Sequence, residues 1–418
     1  HARQLLVCIA LSFENMTANR RIIYRTLHAA WLSFAAVIIV FALLVSASRM
    51  LFPLLQDYKA DFEQIITQQI GRQVELGKVR AEWVGLWPRV HFSDVTIYSA
   101  DKQKAWLQLA DLSATIDIYT TLTDGAPSIR SIKAEGLNLK ANRASRHILK
   151  INGETFHLQE SSAADQQALI DWLFSMRSVR LRNSLIAYHD YRVSKQVVTA
   201  TQVNLSLENN QPLHHIFGSF TLPEQRGREI SFVVDLDGDM LQPATVESRF
   251  YVTGEIALTN QIKKWLAPYA VFKRGQLGVA VWGEGRLAGL NKVSGRVNGS
   301  DLAWTITGKK TDQINVIEQV NANVFLRHQQ QGWRLDIEDF VLQKSETTWP
   351  KSDLRLIYST DNHDGHKIEG QFAYINLADV GELLVKNLPE KIQARRFLRQ
   401  LRMRGELRDA QVMLDLPK

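Results

Sequence analysis

Four groups of side chains in the sequence have types and spacings that could do chemistry. Asp235-Leu236-Asp237-Gly238-Asp239 sets three carboxylates at alternate positions, as a calcium loop does. An EF-hand loop needs its glycine at the sixth position, whereas here it is the fourth, so a turn between two strands is expected instead. Gly283-Glu284-Gly285-Arg286-Leu287-Ala288 fits a loose dinucleotide fingerprint after the strand-like run Leu277 to Trp282. Phosphate needs a helix N-terminus at that point, but the glycine-rich stretch Asn291 to Gly299 follows, so the match fails on context. His214-His215 and the pair His363 and His366 are the dense histidines. Both fall in polar stretches expected to be solvated loops, and neither has the His-Glu-x-x-His spacing of a zinc enzyme. No nucleophile elbow or Walker loop occurs, and the scattered acids cannot be paired into an acid/base couple. No catalytic residue, metal ligand or cofactor is assigned, and the chain is not read as an enzyme.

The bulk properties narrow the classes further. The chain has 418 residues, 45% hydrophobic and 22% charged, a composition that argues against wholesale disorder. A net charge of +7 invites a nucleic-acid reading, but the 50 basic and 43 acidic residues are interleaved. The densest basic stretch, Lys391 to Arg408, has Phe397 as its lone aromatic, so it lacks the stacking pattern of a nucleic-acid site. A solvated face, or attraction to anionic lipid head groups, explains it better. The single cysteine, Cys8, lies before the apolar N-terminal segment, which excludes disulfides and thiolate metal sites from the body.

That apolar segment holds 23 residues free of Lys, Arg, Asp and Glu, between Arg25 and Arg49. As a helix it is roughly 35 Å long, enough to cross a hydrocarbon core of about 30 Å. Trp31, Phe34, Ile38, Phe41 and Leu44 are the expected anchor residues, with Trp31 at an interfacial position. Arg20, Arg21 and Arg25 before the span, against Asp57, Asp61 and Glu63 after it, put the N-terminus in the cytoplasm and the body outside. Val45-Ser46-Ala47 resembles a leader cleavage site, but the length of the run favours a retained anchor. The expected division is a cytoplasmic segment 1–22, an anchor 23–50 and an exported body 51–418, with Met16 as a candidate start.

The elements that must position everything else are strands. Val203, Leu205 and Leu207 alternate with polar neighbours, as do Leu112, Ala114, Ile116 and Ile118. Phe232, Val234 and Leu236 share a face, and similar runs recur at 320–326, 354–358 and 412–416. Turns are expected at Asp124-Gly125, Asn209-Asn210, Asp237-Gly238, Gln330 to Gly332 and Asp361 to Gly365. The pattern predicts a mainly β body, a long antiparallel meander. Short amphipathic helices are expected at Phe62 to Ile70, Leu169 to Met176, Ile262 to Tyr269 (capped by Asn260) and Asn376 to Asn387. Nothing signals closure into a barrel, and the last strand still alternates at Pro417-Lys418, so the native chain is expected to continue.

One stretch carries a more specific pattern. Gln64 to Val79 runs as a helix, Gly71-Arg72 and a short strand, and Ala81-Glu82-Trp83-Val84-Gly85-Leu86-Trp87-Pro88-Arg89-Val90 follows. With the preceding membrane helix, this opening resembles the AsmA-like family of Gram-negative envelope proteins, and within it the N-terminal part of YhdP-like members. Ile262 to Leu266, Val293 to Val297 leading to Ala303-Trp304, and Gly332-Trp333 leading to Trp349-Pro350 extend the resemblance over most of residues 23 to 418. The resemblance implies a repeating β-groove, anchored in the bacterial inner membrane with its bulk in the periplasm, through which phospholipids slide to the outer membrane. Phospholipids, the inner membrane and other envelope proteins would then be its partners, without nucleic acid. Val203, Leu205, Leu207, Phe232, Val234 and Leu236 are the candidate lipid-lining residues. Alternating apolar residues are ordinarily core, and the pattern leaves open whether side chains or lipid fill the face. A scaffold assisting outer-membrane protein assembly through exposed strand edges is the alternative.

Overall fold

The computed structural model describes residues 26–416, except 44, 51, 100, 102, 126–127, 146–147, 158–169, 192–196, 224–227, 243, 259–269, 288, 307–313, 330, 346, 361–365 and 388–402. Helix α1 (Thr26–Met50) is the apolar segment, with mean hydropathy 2.5 and long enough to cross a membrane. A 3-10 turn (Phe52–Gln56) leads into α2 (Lys59–Ile70), and α3 (Ile118–Asp124) and α4 (Leu377–Asn387) come later. The first strands are β1 (Val74–Glu75), β2 (Lys78–Val84), β3 (Trp87–Tyr98), β4 (Ala105–Ile116), β5 (Ile129–Glu135), β6 (Asn138–Arg143), β7 (Ile148–Ile151) and β8 (Glu154–His157). Then come β9 (Ser178–Asp190), β10 (Val198–Asn210), β11 (Leu213–Thr221), β12 (Glu229–Asp237), β13 (Glu247–Ala257), β14 (Ala270–Arg286) and β15 (Gly289–Ile306). The rest are β16 (Asn315–Gln329), β17 (Gly332–Lys344), β18 (Thr347–Thr348), β19 (Ser352–Thr360), β20 (His366–Asn376) and β21 (Glu406–Leu416).

All 21 strands among the described residues belong to one sheet, which does not close. Hydrogen bonding runs β2–β3–β4–β5–β9, then strand by strand to β17, then β19–β20–β21. The expected all-antiparallel meander is corrected at one place. β5 and β6 both pair parallel with β9, Ser131 to Glu135 against Ser178 to Arg182 and Asn138 to Arg143 against Leu185 to Asp190. They act as one long strand broken at Gly136, whose φ of 73° is left-handed and where a Cβ would lie 2.8 Å from Ala110 Cβ. A parallel return needs a crossover of a dozen or more residues, and the β7–β8 hairpin and the segment up to 177 supply it.

A second correction concerns Ile118. The alternation of β4 stops at Ile116, and Ile118 opens α3 instead. The Asp117 side chain accepts the Thr120 N–H at 3.2 Å and pairs with Arg130 at 3.0 Å, a cap that outweighs one more alternating residue. The expected turn at Asp124-Gly125 is the end of that helix, with Gly125 left-handed. The expected helices at 62–70 and 376–387 are present as α2 and α4, and residues 170–175 are helical. Ile262 to Tyr269, Asp361 to Gly365, His363 and Lys391 to Arg402 lie outside the described residues.

The two ends of the strands differ. At one rim the turns are tight, as at Gly85-Leu86 and Gln211-Pro212, and large apolar side chains such as Leu86, Leu122, Leu213, Leu287 and Trp333 are exposed there. The other rim is packed. Val74, Leu76, Val79, Phe92, Val95 and Leu109 form one buried cluster beneath Phe62 and Ile66 of α2. Leu258 and Leu302 form a second, and Leu342, Trp349 and Tyr374 a third beside Val380 of α4. Helix α4 is held by a buried polar knot: Asp379 accepts Trp349 Nε1 at 2.8 Å and Lys344 Nζ at 3.1 Å, and Glu382 also pairs with Lys344. Burial alone would lower the Lys344 pKa, but the hydrogen bonds to Glu382 and Asp379 outweigh it and hold the ammonium above its ordinary range. Asp379→Ala should leave the ammonium with Glu382 alone and the buried Trp349 N–H without its acceptor, at a cost of about 3 kcal/mol. Amide exchange within 377–387 should then quicken roughly a hundredfold while the central strands keep their protection.

Candidate functional site

Register decides which side chains share a face. Leu205 lies opposite Leu181 of β9 and Gly218 of β11, and Leu207 opposite Val179 and Ile216. Gly218 faces Phe232, Ile216 faces Val234, and these face Val252 and Phe250 of β13. The same side continues through Val281 and Gly283, then Gly295 and Val293, then Val324 and Leu326. It reaches Ile337 and Leu335, Leu354 and Leu356, Phe372 and Gly370, and lastly Ala410 and Val412 of β21. In the other direction it runs through Ala134 and Ile132, Leu112 and Ala114, Phe92 and Val90, to Val79 and Ala81 of β2. This apolar row crosses sixteen paired strands, about 70 Å along the sheet at roughly 4.8 Å per strand.

The opposite face is polar and tied by cross-strand ion pairs. Arg180 meets Glu208 at 2.9 Å, Lys292 meets Glu284 at 3.0 Å, and His215 pairs with Asp235. Asp336 takes Arg334 and Arg355 at 2.7 Å each, and the Arg334 hydrogen bond, aided by Arg355, holds its carboxyl below the ordinary range against the cost of burial.

Leu205, Leu207, Phe232 and Val234 lie in the apolar row, on β10 and β12, whereas Val203 pairs with Ser184 and Leu236 with His214 and Ser248, outside it. Val203, Leu207 and Leu236 are buried, whereas Leu205, Phe232 and Val234 are half-buried. Most of the row is likewise half-buried, neither sealed as a core nor fully open. Its glycines keep it low: Phe232 and Phe250 lay their rings across Gly218 and Gly283 on the adjoining strands. Glycine scores as a blank in an alternation pattern, so the sequence hides that these positions are covered by aromatic area from the next strand.

Trp83 and Gln56, whose role the sequence pattern did not show, join the row to α1 and to the 3-10 turn that follows it. Trp83 Nε1 donates to Ser48 Oγ at 2.7 Å, and its ring contacts Phe41 edge-on and Phe52 in a stack. The Val79 N–H donates to Gln56 Oε1 at 2.7 Å. Between them lies a cavity of about 800 Å³ lined by Arg49, Phe52, Gln56 and residues 78–83, where the row begins. On α1, Trp31, Phe34, Ile38 and Phe41 are exposed, and Leu44 lies outside the described residues.

The histidine pair corrects the loop expectation. His214 and His215 both belong to β11, because the turn falls at Gln211-Pro212 and not at Asn209-Asn210. His214 is buried, with Nδ1 2.8 Å from Asn209 Oδ1 and its ring edge-on to Phe174. Asn209 in turn donates to the Met176 and Leu173 carbonyls, fastening the helical turn at 170–175 to the sheet. His366 begins β20 and meets the Tyr358 hydroxyl at 2.9 Å. In the acidic run, Asp235 faces His215, while Asp239 accepts its own turn's Leu241 N–H at 2.9 Å. Among the described residues no three His, Cys, Asp or Glu side chains converge as metal ligands.

The family model described as YhdP protein matches residues 16–418. The chain belongs to the YhdP family. It is also 20% identical over 341 residues to the intermembrane phospholipid transporter YhdP of Escherichia coli (strain K12), covering 80% of this chain and 25% of that relative. The chain thus spans about a quarter of the length of this YhdP relative. No solved structure matches it.

Two outcomes test this geometry. In Gly283→Val the new side chain would drive the Phe250 ring up off the sheet, costing about 1–3 kcal/mol in thermal or denaturant unfolding. Burial lowers the His214 pKa, with a smaller opposing hydrogen bond to the Gly238 backbone. The unfolded chain therefore takes up a proton near the ordinary value of about 6.5 while the folded one does not. The His214 contribution is full above that pH and falls as pH drops from there toward the lowered folded value. Protection of the 170–176 amides should weaken between pH 7 and 5.5 (roughly the window set by the ordinary histidine pKa), and His214→Gln should flatten that dependence. Asp171 and Asp239, which line a cavity of about 620 Å³ together with His214, are present in both forms.

Proposed function

We propose that the apolar row is a path for phospholipid acyl chains, fed from the bilayer that α1 crosses, and that the body performs no chemistry. The observation that carries this reading is the unbroken, half-buried apolar face of an open sheet whose first strand is fastened to α1. The name of the Escherichia coli relative, an intermembrane phospholipid transporter, supports it. In this reading residues 1–22 are cytoplasmic, 23–50 anchor the chain in the bacterial inner membrane, and the body from residue 51 lies in the periplasm. Leu205, Leu207, Phe232 and Val234 line the path, and lipid travels between the inner and outer membranes. An acyl chain occupying half a hydrocarbon core, about 15 Å, fits across a strand such as β10 at about 3.3 Å per residue.

The test is a photo-crosslinking amino acid at Leu205 and at Val234, with Ser206 and Ser231 as partners on the polar face. Phospholipid should be captured at the first two positions and not at the second two. Equal capture on both faces, or protein in place of lipid at Leu205 and Val234, would overturn the conduit in favour of a scaffold.

A further inference from the structure

The tight-turn rim carries a second apolar surface beside α1 that the conduit does not use. The β2–β3 turn is Gly85-Leu86, and Leu86 is 62% exposed. Its neighbour Trp87 lies under the Arg130 guanidinium at 4.3 Å from the ring, and Arg130 pairs with Asp117, the cap of α3. This chain of contacts sets α3 next to the turn. α3 turns Tyr119 and Leu122 outward, 73% and 78% exposed. Single exposed apolar residues are ordinary, but three at one corner, on two elements joined through Arg130 by a cation–π contact and an ion pair, form a patch.

The position of the anchor says what covers the patch. Trp83, at the end of β2 just before Leu86, touches Phe41 and Ser48 of α1. A helix of 25 residues is about 37 Å long against a core of about 30 Å, so its last turns stand at the head-group level. Through Ser48, in the last turn of α1, Trp83 Nε1 reaches that level, and Leu86 follows it along the same rim. α3 has 7 residues, too short to span but suited to lying in the interface.

We propose that Leu86, Tyr119 and Leu122 dip into the head-group layer of the bilayer crossed by α1, making a monotopic foot that fixes the angle between sheet and membrane. The inference rests on α1 spanning the bilayer and is independent of whether lipid enters the row. Full-length protein with Cys8→Ser would be reconstituted in nanodiscs of phosphatidylethanolamine and phosphatidylglycerol. Nitroxide labels would be placed singly at Leu86→Cys, Leu122→Cys, Ile38→Cys in the anchor and Thr348→Cys at the packed rim. Labels at 86 and 122 should collide with oxygen in preference to a nickel chelate, by a ratio several-fold above that at 348. A lipid-exposed 38 with 86 and 122 equal to 348 would overturn the foot alone. A water-exposed 38 would overturn the anchor reading and the foot together.

Discussion

Backbone pairing in continuous register is the constraint on which this sheet depends. Side chains alternate with a period of two, so a slip of one residue between any two strands would turn every later apolar side chain to the polar face. Sixteen strands in series leave no room for an uncompensated slip. Slips do occur, as in β10 between Thr201 and Asn204 and between β16 and β17 at Asn321 to Asn323. Each lies beside a residue with left-handed backbone, Gln202 or Asp339, which takes up the extra position as a bulge. Asp94, Gly136 and Asn183 lie at one level of their neighbouring strands, and Asp409 of β21 is left-handed too, without a change of register. Asp and Asn adopt this conformation at lower cost than most side chains, so the bends repeat without interrupting the apolar row.

The rims follow from the same arithmetic. At the packed rim Leu258 meets Leu302 and Trp349 meets Tyr374. Burial there supplies stability that the half-buried row does not. The polar knot of Lys344, Asp379 and Glu382 is affordable at that rim because each buried charge has a partner and Trp349 satisfies another carboxylate lone pair. At the tight-turn rim, two-residue connections such as Gly85-Leu86 and Gln211-Pro212 are too short to fold back, and Leu86 and Leu213 remain outward.

The sequence made the alternation of β10 and β12 legible because it is a local property, complete within seven residues. The parallel pairing of β5 and β6 with β9 was not legible, since it joins residues 47 positions apart with no local signature. The start of α3 was hidden by a competition between two local signals, the alternating Ile116 and Ile118 and the capping Asp117, which Arg130 settles from the next strand. His214 reads as polar and loop-like until Asn209 and Phe174 are seen around it. Trp83 showed in the sequence only as part of a family motif, because its partners Phe41 and Ser48 lie on α1, some forty residues earlier.

A path for lipid also has to release what it binds. Apolar contact is worth roughly 25 cal/mol per Å² and has no direction, so an acyl chain gains nearly the same energy at each strand of a uniform row. The Ser184 hydroxyl near the row is already committed to the backbone: its Oγ donates to the Arg182 carbonyl and accepts the Leu137 N–H. Rings laid flat over Gly218 and Gly283 remove the ridges that would trap a chain between strands. A deep pocket would bind one lipid tightly and hold it, whereas a low, continuous face binds weakly everywhere. For the proposed conduit, the absence of a strong site on that face is thus the property that permits movement, and direction must come from the membranes at its ends.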